Sequence, residues 1–164
     1  MGYPLVVKPN WGSHGDNVFC WIDSAEELKE VLKLLQSVLG SEALFIVEEM
    51  CPGKEYRVFI TRNGDFAVIH RDPAHVIGDG QHTIKQLAAI ESECRLSHRV
   101  NCLCPIIFDD IAKYYLQKIG KGLDFVPASE EKIYLRLTSN VAKGATCEDA
   151  TDMVHPSVVE IAQK

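Results

Sequence analysis

The stretch YRVFITRNGDFAVIHR, residues 56–71, constrains the fold more than any other. Two runs rich in β-branched and aromatic residues meet there at Asn63-Gly64. Asn-Gly between such runs signals a two-residue type I′ hairpin, because both turn positions need positive φ. Neighbouring strands in this region are therefore expected to be antiparallel. The start of the chain repeats the theme: Leu5-Val6-Val7 and VFCWI at 18–22 flank a short loop and predict a second strand pair. A helix follows, with Ser24 and Glu27 as a capping box. Leu28, Val31, Leu32, Leu35, Val38 and Leu39 recur at helical spacing, and Gly40 stands at the stop. ALFIV at 43–47 is too short for a helix and predicts a buried strand ending at Glu48-Glu49.

Pro52-Gly53 then breaks the pattern and marks a boundary between two α+β lobes, 1–52 and 53–164. In the second, Thr83 is placed to cap a helix through Ile84, Leu87, Ala88 and Ile90, and another helix is expected over 109–119. KIYLRLTSNV at 132–141 reads as a strand. A last helix over 157–164 reaches the end of the sequence uncapped, so a segment of a longer protein is expected.

Composition limits what such a chain can do. With 46% hydrophobic and 24% charged residues it can bury a core, and its net charge of -6 argues against a nucleic-acid surface. No apolar run is long enough to span a membrane and no signal peptide opens the chain, so a cytoplasmic protein is expected. The six cysteines are irregularly spaced, which favours free thiols. Cys94, His98, Cys102 and Cys104 lie close enough to suggest zinc, but the usual C-x2-C pair is missing. A small zinc or redox protein is the weakest of the readings weighed here.

Four stretches carry groups suited to anions or nucleotides. In VVKPNWGSHGDNV, Lys8 ends an apolar strand before the loop Gly12, Ser13, His14, Gly15, where glycines allow backbone N–H groups close to an anion. No G-K-[ST] follows, so it is not a Walker loop, and a plain hairpin turn stays open. In IVEEMCPGKEYRVF a strand exits into Glu48 and Glu49 at the lobe boundary, followed by Met50, Cys51 and Glu55. In HRDPAHVIGDGQHTI, Arg71 precedes two further glycines. In LRLTSNVAKGATCEDATD, Arg136, Ser139, Asn140, Lys143 and Gly144 gather at a strand end.

Taken in this order, the four stretches resemble the ATP-grasp superfamily, and within it the glutathione-synthetase-like and cyanophycin-synthetase-like carboxylate-amine ligases. RDPAHVIGDGQHTI is the most specific of them, and only about residues 91–125 fall outside the resemblance. It implies ATP held between two α+β lobes with largely antiparallel sheets, and Mg²⁺ bridging phosphate oxygens. It implies Lys8 and the loop Gly12, Ser13, His14, Gly15 on the phosphates, and Glu48, Glu49, Met50 and Cys51 around adenine. Glu55 falls on ribose, and Arg71, Arg136 and Asn140 face the transferred phosphoryl group or the substrate carboxylate. The implied reaction activates a carboxylate of an amino acid or small peptide as an acyl phosphate, which an amine then displaces; no protein nucleophile is needed.

The sequence departs from that pattern in three places. Ala142-Lys143-Gly144-Ala145 stands where relatives carry S-T-G-G, and Asp72 puts a negative charge beside Arg71. The magnesium-holding carboxylates of the family are expected beyond Lys164. A chain without them is expected to turn over little by itself, and a non-catalytic module that binds a nucleotide or a partner is the alternative to an enzyme.

Overall fold

The computed structural model describes residues 2–98 and 103–163. Its elements run β1 (Leu5–Pro9), β2 (Phe19–Ile22), α1 (Ala25–Leu39), β3 (Phe45–Glu49), β4 (Glu55–Ile60), β5 (Phe66–Asp72), β6 (His75–Ile77) and α2 (Ile84–His98). They continue through α3 (Asp110–Lys118), β7 (Lys132–Tyr134), a single 3-10 turn (Val141–Lys143), β8 (Thr146–Asp149) and α4 (Pro156–Ala162). The strands form two three-stranded sheets, β2-β1-β3 and β4-β5-β8, and a ribbon of β6 with β7. Every pairing is antiparallel.

Strand alternation gives the first sheet two unlike faces. Leu5 and Val7 point into a core completed by Phe19, Ile22, Val31, Leu35 and Ile111, and Val7 is fully buried. Helix α1 covers that face. It begins as its sequence dictates, with the Glu27 N–H donating to Ser24 Oγ at 3.1 Å. The Glu27 carboxylate reaches one residue further back than a standard capping box, to the Asp23 N–H at 2.6 Å. Val6, Lys8, Ile46 and Glu48 occupy the opposite face, because Val6 pairs with Glu48 and Lys8 with Ile46. β3 is therefore not the buried strand its composition implies: it is an edge, covered on one side only, and Ile46 remains 37% exposed.

The β4–β5 hairpin forms as expected, but its turn does not. Ile60 lies opposite Phe66 and the Thr61 N–H donates to the Asp65 carbonyl at 2.9 Å, which leaves three loop residues, 62–64. Gly64 alone takes positive φ, at 88°, while Asn63 stays in the ordinary region. One left-handed glycine closes a three-residue loop, so the strained conformation is confined to the residue without a side chain. β8, which has no apolar run to announce it, joins the other side of β5 through Ile69–Asp149 and Arg71–Cys147 pairs. The expected strand over 132–141 is ladder-paired only across β7 and continues as irregular chain that bends at Leu135 and Leu137, with the Leu135 N–H donating to the Ala74 carbonyl at 2.7 Å.

A second core gathers Val76, Ile84, Ala88, Ile106, Leu116, Ile133 and Leu135. Helix α3 serves both cores: Ile111 and Tyr114 face the first, Leu116 the second. A polar cluster fastens it to the first sheet. Lys118 bridges Asp23 at 2.9 Å and Glu27 at 2.6 Å, and Tyr114 donates to Glu27.

The two glycines of VIGDG do not cradle an anion. A side chain at Gly78 would meet the Ala128 carbonyl at 2.1 Å. The first amides of α2, on Ile84 and Lys85, donate to the Phe125 and Leu123 carbonyls at 2.9 and 3.0 Å. Gly78 serves close backbone packing, and Gly80 a turn at a positive φ of 74°. Among the described residues no helix is long and apolar enough to cross a membrane.

Candidate functional site

Strand register on the open face of the first sheet sets the site. Lys8 and Glu48, forty residues apart, sit on that face as diagonal neighbours and form an ion pair of 2.6 Å. Both side chains are partly exposed. Cys20 lies on the same face, and burial first, then the Glu48 charge, push its thiol up to about 11 against the opposing charge of Lys8. It stays a neutral thiol at physiological pH.

After β3 the chain passes through Met50, Cys51, Pro52 and Gly53 and enters β4 at Glu55. These residues, with His70, Arg71, Asp72, Pro73, Tyr134, Leu137 and Ser139, line a cavity of about 550 Å³. A neighbouring cavity of about 300 Å³ adds Val6, Gly15, Cys20, Thr138 and Asn140. A small third, about 100 Å³, lies between Lys8 and the loop residues Gly12, Ser13, Gly15 and Asp16. Gly15 borders the last two, and Met50, Cys51, Glu55, Arg71, Leu137 and Ser139 the first two. Four sequence motifs thus meet along one continuous cleft between the sheets.

Glu55 organises its centre. Paired with Arg71 across β4 and β5, it holds the Arg71 guanidinium in an ion pair and accepts a hydrogen bond from Ser139 Oγ. Two buried polar atoms border this region without a hydrogen-bond partner, Arg71 Nε and Thr138 Oγ1. Unsatisfied donors at the wall of a cavity are where a polar ligand gains most. The Met50 N–H is already used by the Pro4 carbonyl at 2.9 Å, and Glu49 accepts from the Gly2 amide at 2.6 Å. Of the strand-exit residues, the cleft is therefore left with Cys51 and with the carbonyl of Met50.

Two expectations change. Asp72 borders the same cavity as Arg71, but the ion-pair partner of Arg71 is Glu55 and the charge of Asp72 is engaged elsewhere. It pairs with Lys132 and accepts from Tyr134 at 3.2 Å. Burial works against its ionisation, yet the hydrogen bond from Lys132 and the charges of His75 and Lys132 hold its carboxyl below the usual range. Arg136, expected beside the phosphoryl group, borders none of the three cavities. It is wholly buried and donates to the Ile107 carbonyl at 2.9 Å and to Asp109 at 3.0 Å. Asn140 does face the cleft, although its side-chain oxygen also caps the following turn through the Ala142 N–H at 2.9 Å.

Sequence reading passed over Thr138 and Asp16, which lie inside the fourth and first stretches but have side chains with no role of their own in those patterns. The suspected zinc cluster includes Cys102 and the His98 side chain, which lie outside the described residues. No group of three or more His, Cys, Asp or Glu side chains among the described residues is placed to hold a metal ion.

Comparison with known proteins bears on this geometry. No family model matches the chain. The cyanophycin synthetase of Crocosphaera subtropica is 35% identical over 165 residues, 99% of this chain and 19% of that protein. The glutathione biosynthesis bifunctional protein GshAB of Enterococcus faecalis is 34% identical over 161 residues, 96% of this chain and 21% of that one. Among solved structures, a bifunctional glutathione synthetase from Pasteurella multocida superposes with a TM-score of 0.56 at 27% identity, covering 96% of this chain and 21% of that one. The fold is ATP-grasp. The chain spans about a fifth of the length of these ATP-grasp relatives. Its paired antiparallel sheets, with the cleft between them, are the part of the ATP-grasp architecture seen here.

Proposed function

We propose that this chain is the nucleotide-facing part of an ATP-dependent ligase that joins a carboxylate to an amine, with an amino acid or small peptide as substrate. The observation that carries the reading is the meeting of Lys8, Gly15, Cys51, Glu55, Arg71 and Asn140 along one cleft, from four motifs separated in sequence. Similarity along nearly the whole chain to synthetases supports it. The reading divides the chain into lobes 1–52 and 53–164, and the cavity lined by Pro52 and Gly53 supports a boundary there.

In this role Lys8 leaves Glu48 for the nucleotide phosphates, and residues 12–15 lie over them. Glu48, the Met50 carbonyl and Cys51 meet the adenine edge, and Glu55 meets ribose hydroxyls. Arg71 and Asn140 face the group being transferred. A carboxylate is a poor electrophile, and ATP supplies the phosphoryl group that activates it. The protein's share is orientation and charge neutralisation by Lys8 and Arg71. Because the described residues offer no cluster of metal donors, no step is assigned to magnesium.

Titration of the chain with a fluorescent, non-hydrolysable ATP analogue tests the reading. Saturable binding that ATP competes away, and that Lys8→Met and Arg71→Met weaken at least tenfold, is expected. Absence of binding at millimolar analogue refutes it.

A second reading, a non-catalytic ATP-grasp module, is favoured by the ion pairs Lys8–Glu48 and Arg71–Glu55, which neutralise Lys8 and Arg71 internally. Both readings expect the isolated chain to turn over little. Rapid magnesium-dependent ATP hydrolysis by the isolated chain eliminates the second reading and the expectation of inactivity together.

A further inference from the structure

The loop between β1 and β2 is held at both ends and open at its tip, with the Asn10 N–H donating to the Leu44 carbonyl at 2.9 Å at its start. Its tip is open: Trp11 is 86% exposed and a side chain at Gly12 would meet nothing within 4 Å. Its far end is docked. A side chain at Gly15 would lie 3.6 Å from Asn140 Cβ and 3.7 Å from Thr138 Oγ1, so the loop backbone rests on the 138–140 segment. One residue on, Asp16 Oδ1 meets Lys143 Nζ at 2.5 Å. The contact is built from both sides. Asn140 caps the 3-10 turn that ends at Lys143, and Gly144 closes it in the left-handed region at φ 95°. The turn is itself anchored, because buried Arg95 donates to the Gly144 carbonyl at 2.9 Å. On the loop side, His14, Gly15 and Asn17 all hold positive φ, at 59°, 70° and 57°. Non-glycine residues keep such geometry only where surrounding contacts fix it.

We infer that Asp16 and Lys143 are a latch: they pin the loop to the 138–143 segment and thereby position residues 12–15 along the phosphate side of the cleft. Lys143 falls within the Ala142-Lys143-Gly144-Ala145 departure noted in the sequence, so the latch is a property of this chain's own residues. Lys143 touches no ligand in this role. It acts through the loop backbone, as a positioning residue, and the inference rests on the nucleotide reading above.

Two measurements on the whole chain separate the latch from that reading. Hydrogen exchange of the amides at residues 12–17, without nucleotide, reports the latch alone. In Lys143→Met and in Asp16→Asn these amides should exchange about threefold to fivefold faster, the scale of a half-exposed ion pair. The charge-swapped double variant Asp16→Lys/Lys143→Asp should return them to the wild-type rate. Dissociation of a fluorescent ATP analogue, followed by stopped flow, should quicken by a similar factor in each single variant and recover in the swap. The urea midpoint should fall only slightly in the single variants, as the loss of one surface pair requires, and return in the swap. Unchanged exchange in both single variants overturns the latch, and so does a swap that behaves as the sum of its parts. Faster exchange with unchanged analogue dissociation overturns its positioning role. If the wild-type chain binds no analogue, the proposed function fails, and exchange still decides the latch.

Discussion

Replacing Arg136 with methionine separates a structural cation from a ligand-facing one. The guanidinium is wholly buried, with Nη2 shared between the Ile107 carbonyl and Asp109. Asp109 also caps α3 through the Ala112 N–H at 3.1 Å, so one carboxylate holds both the arginine and a helix end. Removing one partner of a buried pair costs about 3–5 kcal/mol. The lower end applies, for two reasons. Asp109 keeps 29% exposure and can rehydrate, and methionine removes two buried polar atoms, Nε and Nη1, that have no partner to lose. A loss of about 3 kcal/mol lowers the melting temperature of a chain this size by about 6–12 °C. Urea unfolding followed by circular dichroism measures it. Asp109→Asn in the same background keeps a cap acceptor and removes the stranded charge, so the double variant should regain part of the loss. Binding of an ATP analogue to the folded Arg136→Met chain should match wild type within twofold. A variant that keeps wild-type stability but loses tenfold or more in analogue affinity refutes this reasoning and returns Arg136 to the cleft.

Lys8→Met should do the reverse. Its pair with Glu48 is exposed and worth about 0–1 kcal/mol, so urea stability should barely change while analogue affinity falls at least tenfold. Gly144→Ala should cost about 3 kcal/mol by thermal melting, since the new Cβ would sit 2.7 Å from Ile106 Cα at a left-handed φ. Glu27 titrates below its ordinary value of 4.5 because, although burial opposes it, hydrogen bonds from Lys118 and Tyr114 outweigh that. A depressed carboxyl stabilises the fold above the unfolded value, and that stability is lost as pH falls. Glu27→Gln should therefore flatten the acid limb of a stability–pH curve below about pH 5.

What the sequence disclosed was local. α1 was legible because its cap, stripe and terminal glycine all lie within seventeen residues, 24–40. The four motifs were legible as pieces, and their order carried the resemblance. β8 was hidden because Thr146-Cys147-Glu148-Asp149 has no apolar alternation; its pairing with β5 alone makes it a strand. The turn at Asn63-Gly64 slipped by one residue, because register rather than dipeptide preference fixed the loop length. Arg136 and Arg71 look alike in sequence, each a cation at the end of an apolar run. Only tertiary placement separates them: one meets Asp109 inside the protein, the other Glu55 at the cleft. The Asp16–Lys143 contact spans 127 positions and leaves no local trace.

The Lys8–Glu48 pair gives the cleft a built-in rival for its own cation. A simple anion such as inorganic phosphate can take Lys8 only by stranding the Glu48 carboxylate, and it carries little with which to satisfy that group. A ligand with a negative tail and a hydrogen-bond donor elsewhere on its frame compensates both partners at once. On the nucleotide reading proposed above, the site would act as a two-key lock, favouring such bipolar ligands because they exchange one internal contact for two external ones.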